Sequence, residues 1–109
     1  MKDAVFHPSL QKIIREFPQE VRKALGKAIF ELQMGIQLTS PLSKPMPSVG
    51  KGVSELRIKD SSGAYRVFYL SKLEAEILLF HAFKKKTQQT PKKEIELGQK
   101  RLKEMLYER

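Results

Sequence analysis

Val53-Ser-Glu-Leu-Arg-Ile-Lys59, Asp60-Ser-Ser-Gly63, Tyr65-Arg-Val-Phe-Tyr-Leu70 and Ile77-Leu-Leu-Phe-His-Ala-Phe83 follow one another with one short connection before the last. In the first run Leu56 and Ile58 alternate with Glu55, Arg57 and Lys59. In the second, Tyr65, Val67 and Tyr69 alternate with Arg66, Phe68 and Leu70. A two-residue period belongs to a β-strand with two unlike faces. The Asp-Ser-Ser-Gly sequence between the runs is hairpin chemistry. The third run is apolar almost throughout, as expected of a central strand covered on both faces.

Upstream the period becomes helical. Leu10, Ile13, Ile14 and Phe17 recur on one side, and Pro18 interrupts them as the expected first residue of a second helix. There Val21, Leu25, Ala28, Leu32 and Ile36 form one stripe, with Gly35 marking its end. Gly26 sits inside that helix at a cost of about 1 kcal/mol against Ala, which points to a close approach by another backbone. Residues 39–52 carry Pro41, Pro45, Pro47, Gly50 and Gly52, with Lys44 and Lys51, and read as a loop: either a functional, mobile one or a plain crossover. Downstream, Thr90 and Pro91 supply an N-cap and a first-turn proline for a last helix with Ile95, Gly98, Leu102, Met105 and Leu106 inward. The order predicts an α+β domain spanning 1–109: a small antiparallel sheet with an N-terminal helical hairpin and a C-terminal helix.

The 109 residues carry a formal net charge of +9 and suit one modest core. Such a surface attracts polyanions. The longest apolar run, Ile77–Phe80, is far short of the roughly 20 residues of a membrane span, so no membrane partner is expected. Met1–Pro8 has no apolar signal core, so export is not expected either. Cysteine is absent, which excludes disulfides and thiolate metal sites and fits a reducing cytoplasm.

His7 and His81 show no ligand spacing, and neither a Gly-rich phosphate loop nor a nucleophile elbow is present. That pattern disfavours nucleotide hydrolysis, metal-dependent nucleases and serine-type acyl transfer; no cofactor is expected. What stands out is cationic. Arg57 and Lys59 share a strand face, Arg66 lies across the hairpin, and Lys84, Lys85 and Lys86 end the third strand. Such a group suits phosphodiester cleavage by a neighbouring 2′-hydroxyl: cations stabilise a phosphorane-like transition state, and a crowded lysine has a lowered pKa fit for proton transfer. The plain alternative is a solvated strand edge whose lysines block aggregation. His81 reads either as an acid–base residue or as a packed, hydrogen-bonded core histidine. Tyr65 and Tyr69 read either as base-stacking platforms or as core aromatics. Lys92, Lys93, Lys100, Arg101 and Lys103 give the last helix either a solvated face or an extension of an RNA track.

Glu55-Leu-Arg-Ile-Lys, Tyr65-Arg-Val-Phe-Tyr, Leu79-Phe-His-Ala-Phe-Lys-Lys-Lys-Thr and Thr90-Pro-Lys-Lys-Glu-Ile-Glu, in this order, resemble the HigB-type, phage-related branch of the RelE/ParE toxin superfamily. The resemblance implies the toxin of a type II toxin–antitoxin pair. It further implies a metal-independent endoribonuclease that cuts mRNA in the ribosomal A site and leaves a 2′,3′-cyclic phosphate. Its implied partner is an antitoxin with a helix-turn-helix domain, HigA-like, that covers or distorts the active face. By the same resemblance Arg66 matches the strand arginine that contacts the scissile phosphate, and Arg57 and Lys59 match basic residues one strand away. Lys85 or Lys86 matches a basic residue that stabilises the transition state. The C-terminal tyrosine that stacks on the base in some members has no clear counterpart, since Tyr107 lies late in the last helix.

The expected function is therefore a ribosome-dependent mRNA interferase. Arg57, Lys59, Arg66, His81, Lys85 and Lys86 are its candidate catalytic residues, and Tyr65, Lys84, Lys92 and Lys93 its candidate RNA contacts. Arg66→Ala is expected to abolish cleavage while leaving the fold intact. The rivals are a ParE-like gyrase inhibitor, whose relatives commonly lack this basic set, and a non-enzymatic nucleic-acid-binding phage accessory protein.

Overall fold

A computed structural model describes residues 1–107. The elements are β1 (Asp3–Phe6), α1 (Leu10–Arg15), α2 (Gln19–Gln33), β2 (Ser43–Pro45), β3 (Val53–Asp60), β4 (Gly63–Leu70), β5 (Glu76–Lys85) and α3 (Lys92–Tyr107). The strands form one sheet in the order β1-β5-β4-β3-β2. This is the expected α+β arrangement, with two differences in the sheet. β1 pairs parallel to β5, making the sheet mixed rather than antiparallel. A second short strand, β2, lies within the stretch read as loop and pairs with β3. Pro45 donates no ladder hydrogen bond, which an edge strand tolerates.

β3 and β4 pair from Val53 opposite Leu70 to Asp60 opposite Gly63, which leaves Ser61 and Ser62 as the turn. The Asp60 carboxylate accepts the Ser62 N–H at 2.8 Å and the Ser62 hydroxyl at 2.6 Å. The alternation sorts the two faces. Leu56, Ile58, Tyr65, Val67 and Tyr69 pack beneath α1 and α2, while Phe68, Leu70, Leu78 and Phe80 pack beneath α3. The α2 stripe gains Ile29 and loses Ile36, which lies exposed beyond the helix. Gly35, at φ 86°, ends α2: its N–H bonds to Leu32 O and the Ile36 N–H to Glu31 O. Pro18 is the N-cap of α2 rather than its first residue, and Gly26 faces open space with nothing close by.

On the other face, α3 approaches so closely that a Cβ at Gly98 would lie 2.7 Å from the Phe68 ring. Leu102 and Met105 are buried with it, whereas Leu106 is exposed. Thr90 does not serve as the expected cap, because its hydroxyl reaches Glu55; the Pro91 carbonyl accepts the N–H groups of Glu94 and Ile95. β5 contains a bulge: Phe68 opposes His81, but Tyr69 opposes Leu79. Phe80 is the additional residue, so Phe80 and His81 both serve the α3 side. No described helix is long and apolar enough to cross a membrane.

Candidate active site

Strand pairing lays three rows across the α3 face of the sheet. Lys59, Ala64 and Lys85 make one, Arg57, Arg66 and Phe83 the next, and Lys44, Glu55, Phe68 and His81 the third. Glu55 is the pivot of this surface. Its Oε1 lies 3.4 Å from Arg66 Nε and 3.9 Å from Arg57 Nε, and its Oε2 accepts the Thr90 hydroxyl at 3.1 Å. Glu55 and Arg66 are buried, Arg57 and Lys85 half-buried, and Lys44 and Lys59 exposed.

The charges are unevenly matched. Arg66 donates Nη1–H to Tyr65 O at 3.3 Å, while its buried Nε has the ion pair to Glu55 but no well-formed hydrogen bond. Burial pulls the Arg66 guanidinium below its usual range; Glu55 opposes that pull and Arg57 adds to it. Lys85 is likewise lowered, first by burial and then by repulsion from Arg66, with Arg57 and Lys44 adding and Glu55 opposing. Removing one partner of a buried ion pair costs about 3–5 kcal/mol, because the other charge is left uncompensated. Arg66→Ala therefore leaves the buried Glu55 with only the longer contact to Arg57 and the Thr90 hydroxyl. The expectation that this variant leaves the fold untouched is corrected by that burial.

Behind the cations lies a second polar group. His81 is buried, with its ring 5.6 Å from Phe68 and 5.4 Å from Phe83. Arg101 donates Nη1–H to His81 Nδ1 at 2.7 Å, so Nε2 carries the proton and donates to Glu94 Oε1 at 2.8 Å. Burial holds His81 below its usual pKa, aided by Arg101 and opposed by Glu94. It is a neutral imidazole clamped between two residues of α3, the packed, hydrogen-bonded alternative of the two sequence readings. Among the described residues, no cluster of three or more His, Cys, Asp or Glu side chains is arranged to hold a metal ion.

The family described as phage-derived protein Gp49-like (DUF891) matches residues 12–103. The chain belongs to that family. No curated protein matches it. The span shared with the Gp49-like family runs from α1 into α3, taking in Glu55, Arg57, Arg66, His81 and Lys85 and leaving β1 outside.

The remaining candidates of this Gp49-like chain divide between the two sheet faces. Lys59 shares a row with Lys85, Lys86 follows the end of β5, and Lys92 and Lys93 open α3, all exposed. Tyr65 and Lys84 belong to the opposite face. Tyr65 is buried with its ring 4.7 Å from Phe17 and its hydroxyl 2.7 Å from Ser62 Oγ. Lys84 Nζ sits 5.8 Å from the centre of that ring. Base stacking on Tyr65 is thereby closed off, and Lys84 stands across the sheet from Arg66. Tyr69 is also core, its hydroxyl 2.5 Å from Ser43 Oγ.

Sequence reasoning gave no role to Glu55, left Lys44 on a loop, and did not connect Glu94 or Arg101 to His81. One signal for Glu55 was present. A lone carboxylate on the face that carries Arg57 and Arg66 is placed to pair with them.

Proposed function

We propose that the cations grouped around Glu55 form the phosphate site of an endoribonuclease, the mRNA-cleaving toxin of a type II toxin–antitoxin pair. The observation that carries this reading is Lys85, half-buried beside Arg66 and Arg57 with its pKa lowered. An amine in that setting exchanges protons more readily near neutrality than a solvated lysine. Arg57, partly open to solvent, reaches the non-bridging oxygens. Lys85 takes the 2′-hydroxyl proton or supplies one to the departing 5′-oxygen, and solvent water exchanges the proton at the other oxygen. The 2′-oxygen bonds to phosphorus as the bond to the 5′-oxygen breaks, giving a 2′,3′-cyclic phosphate. Arg66 contributes from behind a fixed positive charge in low dielectric. Lys59, Lys86, Lys92 and Lys93 extend the track for flanking phosphates. The ribosome aligns the message, and an antitoxin masks the toxin. The Gp49-like membership and the resemblance of the strand residues to RelE/HigB toxins support the same assignment.

The test is cleavage of a defined mRNA with and without programmed ribosomes, with the product ends mapped. Lys85→Gln and Arg57→Gln are better controls than Arg66→Ala, since neither strands a buried charge. Cuts in frame with the A site, slowed about 10²–10⁴-fold in Lys85→Gln, are the expected result. Intact message bound by folded protein would instead favour a binding module. Inhibition of supercoiling without RNA cleavage would favour the gyrase reading.

A further inference from the structure

The two oxygens of Glu55 have different owners. Oε1 faces the cations Arg66 and Arg57, while Oε2 is held by the Thr90 hydroxyl at 3.1 Å. The last torsion of a glutamate is broad and roughly two-fold, so without a partner for Oε2 the carboxylate is held through Oε1 alone and can reorient about it. Arg66 Nε is nearer, at 3.4 Å, but that side chain is buried and fixed by its bond to Tyr65 O; the movable donor is Arg57, whose Nε is 3.9 Å from Oε1 and whose side chain is 32% exposed. A carboxylate free to turn toward a guanidinium makes the two-pronged pair that both groups prefer. Arg57 would then fold inward onto Glu55 and leave the surface.

Thr90 is itself held in place. It precedes α3, the Pro91 carbonyl accepts the first helical N–H groups, and the Glu94 carboxylate is bonded to His81 at 2.8 Å one turn later. Arg101, two turns further along, holds the other ring nitrogen of His81 at 2.7 Å. The helix cannot rotate without breaking one of these bonds.

The geometry points to Thr90 as a positioning residue: by occupying Glu55 Oε2 it keeps Arg57 turned outward, available to a phosphate of single-stranded RNA. This rests on the phosphate-site reading above and adds a residue that touches no substrate. His81, Glu94 and Arg101 serve the same end by fixing the helix that carries it.

Thr90→Val keeps the shape and removes the hydroxyl; Thr90→Ser keeps the hydroxyl. Each full-length variant is titrated with a short single-stranded oligoribonucleotide over a range of salt, and the Arg57 Nε–H resonance is followed by NMR. In Thr90→Val the loss of one phosphate contact makes the salt slope shallower by about 0.7. The Arg57 resonance becomes more protected from exchange, and Thr90→Ser behaves as the parent. In an Arg57→Gln background Thr90→Val has no further effect, as expected of a residue acting through Arg57. An unchanged slope in Thr90→Val, an equal loss in Thr90→Ser, or full additivity with Arg57→Gln would overturn the proposal. If the parent binds no RNA, the phosphate-site reading fails separately, and the Arg57 resonance alone decides whether Thr90 positions it.

Discussion

At the scale of single residues, His81 illustrates how a buried neutral ring constrains behaviour with pH. Arg101 donates to Nδ1, so a second proton on the ring would set two cationic donors against each other at 2.7 Å. Burial, the largest cause, and Arg101 lower the folded pKa, against the pull of Glu94; His7 adds a further small repulsion. In the unfolded chain the ring titrates near 6.5. Between the two values the unfolded state binds more protons, so stability rises with pH there. The contribution is fully present above about pH 6.5 and is lost as pH falls toward the folded value, with a slope of at most about 1.4 kcal/mol per pH unit. Denaturant titrations from pH 8 down to about pH 5 should show this loss in the parent and a reduced one in His81→Gln, which cannot titrate. Parallel curves for the two would mean that His81 accepts its proton freely and that the clamp is loose.

At the scale of elements, two glycines in helices make opposite predictions. Gly26 of α2 faces open space, so Ala there gains the helix-propensity difference of about 1 kcal/mol. Gly98 of α3 lies against the Phe68 ring, and a methyl group at 2.7 Å forces the helix outward at about 1–3 kcal/mol. Denaturation midpoints should therefore move apart, up for Gly26→Ala and down for Gly98→Ala; a neutral Gly98→Ala would contradict the close approach of α3. The sequence places Gly98 on the inner stripe, as found, but predicts a close backbone approach at Gly26, which the structure overturns, because a glycine off the apolar stripe of a helix looks the same whether it faces a partner or water. Other features were hidden for similar reasons. β3 and β4 were legible because Leu56, Ile58, Tyr65 and Val67 alternate with residues of another kind. The bulge was not, because Ile77–Phe80 is apolar on both faces and carries no phase. The run Lys84-Lys85-Lys86 at the end of β5 likewise left open that Lys85 faces Arg66 while Lys84 faces Tyr65. β1 and β2, at four and three residues, are too short to show a period. Of the site, the cations were visible and Glu55 was placed among them by the alternation, but its organising role rests on its burial, which the alternation does not show.

At the scale of the whole molecule, the start of the chain fastens elements that are distant in sequence. The Lys2 N–H bonds to Gln33 O at 3.0 Å, its ammonium to Ser71 O at 2.6 Å, and the Asp3 N–H to Ala75 O at 2.9 Å. β1 then runs beside β5, and His7, whose Nδ1 accepts the Ser9 N–H, donates through Nε2 to Glu104 of α3 at 2.8 Å. β5 carries both His81 and Lys85, so the strand that presents the site is flanked by β4 on one side and by this N-terminal strand on the other. Deleting residues 1–6 removes a strand ladder and the half-buried Val5 and Phe6, a loss on the order of 5 kcal/mol. It also uncovers an edge whose side chains, Ile77, Leu78 and Leu79, are buried in the intact chain, an arrangement that favours pairing between chains. The truncated protein is expected to lose most of its denaturation midpoint and to aggregate at concentrations where the full chain stays dispersed. A truncated chain that remains dispersed and keeps its midpoint would mean that β4 and the helices alone hold β5. The N-terminal strand, which lies outside the span shared with the family, would then be an addition to the site-bearing sheet rather than part of its support.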